Sequence, residues 1–153
     1  MTSAAERRMA GPVRLTVATD LGREVDGAWW PRTARMALEL PELTHVLAPR
    51  LGEIIDINLN WTTLQRPPDF NSLGWEGKQQ HVMSLVGRDA RANLLIVPFT
   101  TSTALAVMVL RRAADLPILS DHRDTQVFRT ADCIVRAALN EKPLGAVRGA
   151  KLR

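Results

Sequence analysis

The stretch "NLLIVPF", residues 93–99, constrains this chain more than any other. Leu94 to Val97 leave no polar side, and a short apolar run of this kind reads as a strand covered on both faces. Pro98 has no amide to donate and ends the strand. Such a strand needs a sheet around it and helices above it. Residues 100–115, "TTSTALAVMVLRRAAD", begin with capping hydroxyls and become a helix that is apolar nearly all round until Arg111, so it reads as buried.

Other segments supply the rest of the sheet. "VRLTVAT", 13–19, alternates Val13, Leu15 and Val17 against Arg14 and Thr16, as a half-buried strand does. In "EIIDINLNW", 53–61, Ile55, Ile57, Leu59 and Trp61 point one way and Asp56, Asn58 and Asn60 the other. "QHVMSLVG", 80–87, is a further strand. "DLGREVDG" carries turn signals at Gly22 and Asp26-Gly27. Thr33 is placed to cap a helix from Ala34, with Met36, Leu40, Leu43 and Leu47 on one face. Pro41 should kink that helix or restart it. Thr130 is placed to cap a last helix, "ADCIVRAALN". Between these, 62–79 is a long Pro/Gly/Asn-rich loop, of the length that often carries function. Residues 116–128 suggest a short strand at Ile118-Leu119 and then a polar loop.

The middle strands are too close for crossover helices, so the class is α+β. About four to five strands form a small antiparallel or mixed sheet packed by two helices, plus a C-terminal helix. A length of 153 residues fits a single α+β domain over 13–140, between a flexible N-terminus (1–12) and a basic disordered tail (141–153). A net charge of +4 hints at an acidic partner, but residues 1–12 carry +1 and 141–153 carry +3, leaving 13–140 neutral. Nucleic-acid contact would therefore be weak and salt-sensitive, made through the tails. No segment suits a membrane span or secretory leader, and one cysteine, Cys133, excludes an internal disulfide. A cytoplasmic protein is expected.

Catalytic signatures are missing. There is no glycine-rich phosphate loop and no paired-cysteine or HExxH metal site, so no cofactor and no metal are expected. His122 between Asp121 and Asp124 reads as a solvated loop, and Cys133 as a half-buried apolar residue. Two features remain. Asparagine disfavours strands, so Asn58 and Asn60 beside Asp56 need a reason. "DGAWWPRT", 26–33, sets Trp29 beside Trp30. Trp30 precedes a proline and should be extended, so the two rings diverge. One ring should anchor the following helix. The other should lie under a loop, in a pocket or on the surface.

The order "VRLTV", "DGAWWPR", "ELP", "NLNW", "LLIVP" over roughly 13–115 resembles an actinobacterial domain family of unknown function, with a Gly-Ala-Trp-Trp-Pro run as its hallmark. That resemblance implies a small cytosolic protein and no known activity. Phe99 stands where a second proline is expected, and residues from 116 onward do not fit the family. The function expected is non-enzymatic binding or protein interaction through Trp29, Trp30, Arg32, Asp56, Asn58 and Asn60. One alternative is a small-ligand pocket or enzyme under the 62–79 loop, with Asp56 and His81 as acid–base candidates. Another is a nucleic-acid accessory protein acting through its tails.

Overall fold

The computed structural model describes residues 13–62, 66–72, 79–118 and 125–140. Its elements are β1 (Leu15–Val17), β2 (Gly27–Trp29), α1 (Met36–Leu51), β3 (Ile54–Leu59), β4 (Val82–Gly87), β5 (Arg91–Ile96), α2 (Thr103–Ala113) and α3 (Gln126–Asn140). One mixed five-stranded sheet has the order β1-β2-β5-β4-β3. Only β2 and β5 pair in parallel; the other neighbours are antiparallel. The fold is α+β, and the apolar run at 93–99 supplies the central strand, β5.

Helices lie over both faces of the sheet. Leu43, Leu47 and Leu51 of α1 pack with Trp29, Met83, Leu85, Leu94 and Ile96 on one face. On the other face, Ala28, Trp30, Leu95 and Val97 join Leu105 and Val109 of α2 and Ile134 and Val135 of α3. Each fully buried aliphatic side chain here contributes roughly 1.5–3 kcal/mol. The alternation along β5 explains why its sequence shows no polar side: even and odd positions feed different cores.

Several elements depart from the sequence expectation. Strand β2 read as a turn and a corner, yet Gly27–Trp29 pairs with both β1 and β5. Helix α1 starts at Met36, and Arg35 at its N-cap makes no side-chain cap bond. Thr33 instead accepts the Arg35 amide at 3.1 Å and donates to Glu39 at 2.8 Å. The helix neither restarts nor ends at Pro41, and continues through Pro49 as well. Both prolines are exposed, as are Ala37 and His45, whose carbonyls lose their helical partners, so the freed carbonyls lie on the solvent side of the helix.

In β3 a register shift between Ile54 and Asp56 turns Ile55 out to solvent, 56% exposed, while Ile54 and Ile57 face the α1 core. Val107 is exposed, so α2 is buried on one side rather than all round. Helix α3 begins at Gln126, not Ala131: Thr125 Oγ1 accepts the Phe128 amide at 3.1 Å, and Thr130 lies inside the helix. Ile118 is in no strand, and Leu119 falls outside the described residues.

Candidate functional site

The tryptophan corner is built from the backbone outward. Asp26 is fully buried, and its carboxylate accepts the amides of Gly22 (3.0 Å), Arg23 (2.9 Å) and Asn93 (2.8 Å). It stitches the β1–β2 turn to β5, which fixes the register of β2. A Cβ at Gly27 would collide with the Thr16 carbonyl of β1, so only glycine allows this pairing. Pleat alternation then sends Trp29 into the α1 core and Trp30 into the α2/α3 core, at 2% and 6% exposure. The divergence of the rings follows the sequence reading, but the outward ring does not exist. A second covered face lies where that reading placed a loop, a pocket or solvent.

Around Trp30 the chemistry is more polar. The Arg14 guanidinium lies 3.7 Å from the centroid of the Trp30 ring. It donates to the carbonyls of Trp30 (Nε, 3.0 Å) and Pro31 (Nη2, 2.8 Å). Burial, followed by repulsion from Arg32, lowers the Arg14 pKa below its ordinary value; Glu39 opposes that shift. Arg32 is half-buried, and its amide donates to Glu39 Oε1 at 3.2 Å. Sequence alternation placed Arg14 on the polar side of its strand, but here it covers an indole.

Strands β2 and β5 are adjacent and parallel, yet the helices that follow them pack on opposite faces. Their carboxyl ends form a topological switch point, where sheets of this kind open a crevice. At that end two buried polar atoms, Trp30 Nε1 and Thr101 Oγ1, have no hydrogen-bond partner among the described residues. Thr101 is 5% exposed and directly precedes the N-cap of α2, Ser102. Asn71 reaches the same place: its Nδ2 donates to the Thr100 carbonyl (2.8 Å), and its Oδ1 accepts the Ser102 amide (2.9 Å). Beside it, Phe70 is buried in the core that holds Trp30.

The remaining candidates scatter. Asn60 is buried, and both ends of its amide are committed: Nδ2 donates to the Gln80 carbonyl (3.0 Å) and Oδ1 accepts the Val82 amide (2.8 Å). It extends the β3–β4 ladder past Leu59 and is structural. Asp56 Oδ1 accepts the Ile57 amide at 3.0 Å. Asn58 pairs across from Ser84, and its Oδ1 is buried without a partner among the described residues. The alternation of β4 puts His81 on the α1 face with Met83, whereas Asp56 and Asn58 share the other face, so Asp56 and His81 do not form an acid–base pair. His81 stacks on Trp61, with centroids 4.3 Å apart and planes 2° from parallel. Burial pushes its pKa down to about 4.

Among the described residues no group of three or more His, Cys, Asp or Glu is placed to hold a metal ion. Asp121, His122 and Asp124 lie outside those residues, as do both basic tails and much of the 62–79 loop. Thr101, Arg14, Phe70 and Asn71 were missed from sequence. The available signal was "TTST" directly after a strand covered on both faces, where a parallel neighbour makes the strand end a site.

The model of a family of unknown function (DUF5994) matches residues 13–113, and the chain belongs to that family. Neither the curated proteins nor the solved structures contain a match.

Proposed function

We propose that this member of an uncharacterised family is a non-enzymatic small-molecule-binding module, with its site at the carboxyl ends of β2 and β5 beneath residues 66–72. One observation carries the reading. Trp30 Nε1 and Thr101 Oγ1 are buried at that end without partners among the described residues, and buried polar groups in folded proteins are otherwise almost always paired. A ligand that accepts from the indole N–H and bonds the hydroxyl completes both. Residues 66–72 as a cover agree with Phe70 and Asn71 lying there. A contact surface centred on an exposed tryptophan of the corner loses support, since both rings are buried. Arg32 stays in the proposed site, at the rim beside Arg14.

No helix among the described residues is long and apolar enough to cross a membrane. Together with the single Cys133, that supports a cytoplasmic setting. The predominance of arginine over lysine, 17 to 3, fits the GC-rich actinobacterial source that the Gly-Ala-Trp-Trp-Pro run suggests.

The test is native mass spectrometry of the full chain purified without denaturation from its own host. A small-molecule adduct is expected on the wild type and is expected to be absent from Trp30→Phe and Thr101→Val. An adduct retained by both variants, or a wild type that carries none and gains no thermal stability across a metabolite library, overturns the reading.

A further inference from the structure

At the carboxyl ends of β2 and β5 the backbone acceptors are already spent. The Trp29 carbonyl receives the Val97 amide at 2.8 Å, and the Pro98 carbonyl receives the Thr101 amide at 3.0 Å. The carbonyls of Trp30 and Pro31 receive Arg14, and that of Thr100 receives Asn71. Several donors there stay open. Arg14 lies across from Trp30, whose amide donates to the Arg14 carbonyl at 2.8 Å, so the two side chains share the α2/α3 face. Arg14 uses Nε and Nη2; its Nη1 has no partner among the described residues. The Trp30 indole N–H and the Thr101 hydroxyl have none either, and both residues are more than nine-tenths buried. An indole and a guanidinium can only donate, and a hydroxyl can donate.

Charge at this end has the matching sign. Among the described residues, Arg32 and Glu39 are the charges that act on Arg14. Glu39 already accepts the Arg32 amide and the Thr33 hydroxyl. Two guanidiniums therefore stand against one carboxylate that is engaged elsewhere. Helix α2, which begins two residues after Thr101, has no acidic residue in its first turn and no side-chain cap bond, so its dipole adds to the positive potential.

We infer that the ligand enters this site with an oxyanion, a carboxylate or phosphate group that accepts from the Trp30 indole, the Arg14 Nη1 and the Thr101 hydroxyl, with Arg32 adding charge at the rim. This rests on the proposed binding site and names the chemistry it takes. A ligand edge made of N–H groups would meet donors alone and leave them unsatisfied.

The experiment titrates the full chain with inorganic phosphate and, separately, with acetate, at constant ionic strength set by sodium chloride. The readout is the NMR signal of the Trp30 indole N–H, assigned by its loss in Trp30→Phe. A saturable shift is expected with phosphate, with acetate or with both, and the more effective ion names the group. Exchanging chloride for a second inert salt is expected to leave the signal in place. Thr101→Val is expected to weaken the response about tenfold or more, the worth of a hydrogen bond to a charged group. Arg32→Gln is expected to weaken it roughly threefold through charge. A signal indifferent to both ions, or a response that both variants retain in full, overturns the oxyanion. If native mass spectrometry then still shows an adduct that is lost in Trp30→Phe and Thr101→Val, the site stands and takes an uncharged ligand. If it shows none, the site falls as well.

Discussion

Trp29 and Trp30 are neighbours in sequence and nearly equal in burial, but they live in different chemistry. Trp29 sits among Leu43, Leu47, Met83 and Ile96, an apolar environment between helix and sheet. Trp30 lies under a guanidinium, at a strand end, with an indole N–H that finds no acceptor among the described residues. The difference teaches that exposure alone does not separate an anchor from a site. What separates them is the polar chemistry at the ring: the Arg14 guanidinium lies over Trp30, while Trp29 packs among apolar side chains. By that measure the face carrying α2 and α3 holds the unfinished business of the fold at its carboxyl end, and the α1 face holds mostly completed packing.

The sharpest break of this comparison is truncation. Trp29→Ala and Trp30→Ala are each expected to lose about 3–5 kcal/mol in chemical denaturation, against a total of about 5–15 for a domain of this size. Both variants should be near unfolding. A mild effect at either position would place that ring outside its core and restore an outward tryptophan as a contact residue. A conservative change probes the second face: Trp30→Phe removes an N–H that has no partner among the described residues, so it should cost less than its lost volume suggests.

The central strand β5, the strands β1, β3 and β4, the α2 helix and the divergence of the tryptophans were legible because each depends on local periodicity. Strand β2 was not legible. Its three residues are held by Asp26 reaching Asn93, a contact across 67 positions, and Asp26-Gly27 looks like a turn in isolation. The continuity of α1 through Pro41 and Pro49 was hidden because proline reads as a breaker, while its cost depends on whether the freed carbonyl meets water. The site was the least legible part. Asp56, Asn58 and Asn60 attracted notice as polar residues in a strand, yet Asn60 is spent on the ladder. Thr101 and Trp30 matter through missing partners, which no sequence pattern encodes.

His81 tests the α1 face, where it carries the exception: its Nε2 is buried without a partner among the described residues. Burial depresses its folded-state pKa to about 4, below an unfolded value near 6.5. The unfolded chain therefore takes up a proton first as pH falls. The stability held by neutral His81 is complete above about pH 6.5 and is lost progressively toward pH 4, by at most roughly 3 kcal/mol. His81→Phe keeps a ring against Trp61 and removes the titration. Denaturation midpoints compared between pH 7 and pH 4 should show the wild type losing more stability than the variant. Parallel pH profiles would mean that the imidazole reaches water in the native state.

The smallest effect is the most discriminating, because it changes sign. Thr101→Val is nearly isosteric and removes a hydroxyl that is buried with no partner among the described residues. Burying such a group unpaired costs about 1–3 kcal/mol. Part of that cost should be recovered, leaving the variant as stable as the wild type or more stable by up to about 1 kcal/mol. Thr16 supplies the control within the same face: its hydroxyl donates to the Leu110 carbonyl of α2. Thr16→Val breaks that bond, so it should cost about 1 kcal/mol. Thermal melts of the two purified variants, freed of any small molecule, read the contrast directly. If Thr101→Val loses as much as Thr16→Val, the Thr101 hydroxyl is already satisfied in the unliganded fold. The sheet end would then hold no unmet hydrogen bond there for a ligand to complete, and the comparison between the two tryptophans would reduce to packing alone.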